Sequence, residues 1–86
     1  MKRPVDPDVI VSEVLARAGK TVVDAAVLYD VAEALLVIER SDLAAEYARR
    51  AYGLALLEKD IPGAARAMTF LVSRLGSEGR RILNQM

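Results

Sequence analysis

From Val9 onward, apolar side chains recur every three to four positions, and each run is closed by a residue type that starts or stops a helix. Asp6-Pro7 reads as an N-cap followed by proline at the first helical position. It predicts a helix from Pro7 to Ala18 with Ile10, Val11, Val14, Leu15 and Ala18 on one face. Gly19 stops it, since glycine takes the left-handed conformation without a steric penalty. Thr21 is expected to cap a second helix, Val22 to Glu39, with Asp24 at its third position completing a capping-box-like start. Ser41 is expected to cap a third helix, Asp42 to Lys59. Asp60, with Pro62 in the first turn, opens a fourth, and Leu75-Gly76-Ser77 ends that one and starts a short fifth running towards Gln85. Val9-Ile10-Val11 and Val22-Val23 have strand propensity, but the helical spacing continues through Leu15 and Val27 with no hairpin turn between them. The expectation is a single all-α domain over residues 1–86, a compact five-helix bundle with short connections.

Two helices carry most of the information. Of the seventeen residues from Val22 to Ile38, fourteen are apolar, which predicts that the second helix is the central post and is packed on most sides. On the fourth helix the expected core face is Ala64, Ala67, Met68, Leu71, Val72 and Leu75, leaving Phe70 among Arg66, Thr69, Ser73 and Arg74. An aromatic flanked by two arginines on a polar face has the composition of an interface anchor. The competing expectation is that the fifth helix folds back through Ile82 and Leu83 and covers Phe70. In the third helix, Tyr47 and Tyr52 at helical spacing read as core residues whose hydroxyls reach solvent, rather than as a base-stacking pair. Gly53 sits inside that helix at about 1 kcal/mol relative to alanine, which points to a close helix crossing.

The segments from Ala34 to Ala51 and from Leu56 to Ala67 repeat a helix-start pattern at an offset of eighteen residues. Asp42 aligns with Asp60 and Leu43 with Ile61. With small residues on facing helices and an Asp-apolar turn, this unit resembles the α-hairpin of tetratricopeptide repeats over about forty-five residues. The resemblance implies stacked hairpins and, by analogy, partner binding.

Composition narrows the chemistry. The 86-residue chain has no histidine and no cysteine, hence no imidazole base, thiolate nucleophile, disulfide or zinc site of ordinary ligand type. The expectation is a protein that is not an enzyme and binds no cofactor or metal. Gly19-Lys20-Thr21 matches the tail of a phosphate-binding loop, but its earlier glycine would fall at Val14 and a helix precedes it, so helix caps explain the three residues. Asp30 and Glu33 share a face of the second helix and read as a solvated strip, or as partners for arginines such as Arg49 and Arg50. The N-terminus turns acidic and proline-rich before any apolar signal region, and no apolar run is long enough to cross a bilayer, so a cytoplasmic location is expected.

The net charge is zero but unevenly laid out: +2 over residues 1–3, −5 over residues 4–61 and +3 over residues 62–86. Arg66, Arg74, Arg80 and Arg81 are candidate phosphate contacts, yet four arginines fall short of the basic footprint that nucleic-acid binding needs. An apolar fraction of 53% is high for so short a chain. Self-association follows as the leading functional expectation, a homodimer or higher oligomer using Phe70, Arg66, Arg74, Leu54, Leu56 and Leu57. A designed helical scaffold, in which all these features are packing, and a small nucleic-acid-associated protein are the alternatives.

Overall fold

Three aspartates set three of the helix starts. In the computed structural model, which describes residues 5–86, Asp6 accepts a hydrogen bond from the Asp8 N–H at 3.0 Å, Asp24 from Val27 at 2.9 Å and Asp60 from Gly63 at 3.0 Å. Each satisfies an amide that the first helical turn leaves unpaired. The five helices are α1 (Pro7–Ala18), α2 (Ala25–Val37), α3 (Ser41–Leu57), α4 (Ile61–Ser73) and α5 (Ser77–Gln85), with no strand among the described residues. The fold is therefore an all-α bundle, as the periodicity predicts. The charge assigned to residues 1–3 lies outside the described residues.

Several boundaries differ from expectation. Asp24 rather than Thr21 caps α2, and Thr21, Val22 and Val23 stay outside the helix and exposed. The carboxylate bonds its own helix amide while also receiving the Lys20 ammonium at 2.8 Å, so it competes better than a hydroxyl three residues earlier. The starts of α3 and α4 also match differently. Glu39 and Lys59 both take left-handed backbone, with φ of 62° and 59°. The next amides, Arg40 and Asp60, donate back to the Leu35 and Ala55 carbonyls. Arg40, not the expected Ser41, thus occupies the cap place that Asp60 has, with no side-chain bond to the helix, and Ser41 is the first residue of α3; Asp42 lies within α3 and binds the Arg40 guanidinium at 3.2 Å.

Helix α2 packs against α1, α3 and α4, and α3 packs against α2, α4 and α5, so the apolar second helix shares the centre of the bundle with the third. The buried residues Ala44, Ala45, Ala48, Ala51 and Ala55 suit α3 to that place, because a helix approached from several sides needs small side chains there. The Cα envelope measures 39 × 33 × 17 Å. A slab that thin holds barely two layers of helices about 10–12 Å across, so α2 cannot be covered all round. Val37 and Ile38 at its C-terminal end are exposed. Gly53 is exposed as well, and a Cβ there would meet nothing within 4 Å, so no helix crosses at it. The close approach is at Gly79, where a Cβ would collide with the Leu71 carbonyl as α5 folds back against α4.

Candidate interface on the fourth helix

Helix α4 has one face in the core and one in solvent, and the structure rotates the expected boundary between them. Ala64, Ala67, Phe70 and Leu71 are buried, and Leu75 just beyond the helix with them. Val72, expected in the core, is 60% exposed, and Met68 is half-buried. Phe70 is 1% exposed and is therefore not a surface anchor.

What closes over Phe70 is a ladder of side chains between α2 and α4. The Tyr29 ring meets the Phe70 ring edge-on at 5.5 Å, with 70° between their planes. The Arg74 guanidinium lies 4.9 Å from the centre of the Phe70 ring and donates to Glu33 at 3.2 Å, while that of Arg66 lies 5.4 Å from the Tyr29 ring. Tyr29 and Glu33 are one turn apart on α2, and Arg66, Phe70 and Arg74 are successive turns of α4, so the helices run side by side in the same direction. Positively charged guanidinium groups are attracted to ring faces, and their hydrocarbon stems cover apolar surface. Ile82 and Leu83 of α5 belong to the same apolar cluster as Phe70. Burial raises the Tyr29 hydroxyl above its ordinary pKa, assisted by the Glu33 carboxylate and opposed by Arg74.

The other expected interface residues divide. Leu54 is half-buried against a small cluster of Ala25, Ala55 and Ala64. Leu56 and Leu57 are exposed, Leu57 by 82%, and Ile61, at the start of α4, is 66% exposed. These side chains bracket the turn between α3 and α4. Of the four candidate phosphate-contacting arginines, Arg66 and Arg74 are engaged as described, Arg81 is bonded to Glu78 at 3.1 Å, and Arg80 is exposed with no ion-pair partner among the described residues.

Asp24 is held below the usual carboxylate range, first by the Lys20 ammonium and then by the Val27 amide, and Lys20 is raised by the same bond. Arg40 likewise lowers Asp42. Glu33 pairs with Arg74 rather than with Arg49 or Arg50, and Arg50 lies over the buried Tyr47 ring at 4.8 Å. Asp30 and Glu33 line an open groove of about 430 Å³ between α1 and α2, with Arg17 on the opposite wall. No group of three or more acidic side chains among the described residues is placed to hold a metal ion, and no helix there is long and apolar enough to cross a membrane. The chain matches no protein family, no curated protein and no solved structure, so the functional reading rests on the surface itself.

Proposed function

We propose that this chain is a non-catalytic helical interaction domain that associates with itself. One observation carries the reading: large apolar side chains stand exposed on this small domain, among them Val22, Val37, Leu57, Ile61 and Val72, of which the last three lie at the end of α3 and on α4. Exposed large apolar side chains on a small domain are typical of surfaces that meet another protein. The ionisable groups that stand together do so as helix caps and ion pairs, which supports binding over catalysis. Sedimentation equilibrium over ~10 μM to ~1 mM covers the affinity range of weak to moderate association. The apparent mass is expected to rise with concentration above the 9.4 kDa of one chain. A mass that stays at the single-chain value throughout contradicts the reading and leaves a self-contained scaffold in its place.

A further inference from the structure

We infer that the self-association is an antiparallel pairing of α4 with α4 of a second copy, about a twofold axis passing between Ala65 and Met68. This rests on the self-associating reading and specifies its surface. Ile61, Ala65, Met68 and Val72 follow one another at helical spacing along a single seam. Ile61, Ala65 and Val72 are exposed and Met68 is half-buried. Exposed helix faces ordinarily carry charge, and this one carries only Arg66, at its edge. The exposed residues beside the seam are Pro62, Thr69 and Ser73, and the Thr69 hydroxyl is already donated to the Ala65 carbonyl at 2.9 Å. The two arginines of this stretch lie over Tyr29 and Phe70, away from the seam. Ala65, near the middle, permits the close axial approach of about 8 Å at which helices pack.

The charges at the two ends of α4 select the occupant and its direction. Before the helix, Glu58, Lys59 and Asp60 sum to −1; after it, with Arg74 taken up by Glu33, Glu78, Arg80 and Arg81 sum to +1. An antiparallel pair sets each acidic end against the other copy's basic end, twice, whereas a parallel pair sets like against like. The spacing of the seam is also its own complement, because reversal places Ile61 opposite Val72 and Ala65 opposite Met68 of the other copy. Such an isologous contact closes at two copies.

The absence of native cysteine makes the geometry directly readable by single-cysteine cross-linking under mild oxidation with copper–phenanthroline and oxygen. About an antiparallel axis at this point, residue 65 is displaced from its own counterpart by about 4.5 Å along the helices, and residues 61 and 72 from theirs by about 16 Å. With the helix axes about 8 Å apart and each Cα about 2.3 Å from its axis, only the first pair comes within the Cα separation of about 4.4–6.8 Å that a disulfide spans. Ala65→Cys is expected to yield a covalent dimer on its own, whereas Ile61→Cys and Val72→Cys yield one only when mixed. Far-UV circular dichroism checks that these surface variants keep their helices. Self-linking of Ile61→Cys and of Val72→Cys alone overturns the antiparallel arrangement. No link at any position, with the unmodified chain still sedimenting above one chain mass, overturns the use of α4 but not self-association. A unmodified chain that sediments as a monomer at every concentration overturns both.

Discussion

The two faces of α4 invert what their neighbours in sequence suggest. Phe70 stands between Arg66 and Arg74, one turn away on either side, and is 1% exposed; Val72, two residues further on, has no such flanking charges and is 60% exposed. The difference lies in what α2 offers. Tyr29 and Glu33 give the two arginines a ring face and a carboxylate, so the charged side chains lie down over the aromatics instead of marking a solvent face. The opposite side has no neighbouring helix, and its apolar residues remain uncovered. An arginine one turn from an aromatic is therefore as consistent with a lid as with an exposed surface, and only the partner helix decides between them.

The largest expected effect comes from breaking the covered face. Phe70→Ala removes the largest fully buried side chain of the core, and urea unfolding should show a loss of about 3–5 kcal/mol. Half of the eighteen buried apolar residues are alanine, so little else supplies large apolar area and the domain has little reserve. A loss below about 1 kcal/mol would show that the α2–α4 ladder is not closed in solution.

A smaller effect sharpens the comparison through α2, whose first turn holds Tyr29 in place. Asp24→Ala should cost about 1 kcal/mol at neutral pH, the usual loss of an N-cap. Asp24 has a lowered pKa in the folded state, so its electrostatic contribution is present above the ordinary carboxylate value and is lost as pH falls through the lowered one. Lys20 carries the mirror contribution, present below its ordinary value and lost only in strong alkali. Asp24→Asn keeps a capping oxygen and removes the titration. Its stability should fall less on acidification than that of the unmodified chain, measured by thermal unfolding at a series of pH values; an unchanged acid response would place the pH dependence elsewhere.

Much of the architecture was legible because local chemistry set it. Asp6-Pro7 and Gly19 bound α1 where the caps indicated, and Asp60 opens α4 by bonding Gly63. Thr21 misled because two residue types able to cap stand three apart, and the aspartate wins through an ion pair with Lys20 that depends on the loop's path. The central place of α2 was legible in its hydropathy. That α3 shares it was not, because α3 fills its crowded positions with alanines, which read only as moderately apolar. On the proposed contact surface, Leu56 and Leu57 were legible as apolar residues at a helix end. Ile61 and Val72 were not, since a seam is defined by which side the neighbours leave open. The signal that was available is the lack of charge from Ile61 to Ser73 apart from Arg66.

The contrast between the two faces is tested most directly by Val72→Glu, with mass and unfolding followed together by sedimentation equilibrium and by thermal scans at several concentrations. If the uncovered face binds a second copy, the variant keeps its helicity, sediments as a single 9.4 kDa chain at every concentration and loses the concentration dependence of its unfolding midpoint. A variant that associates as strongly as the unmodified chain, or that unfolds as Phe70→Ala does, contradicts the account.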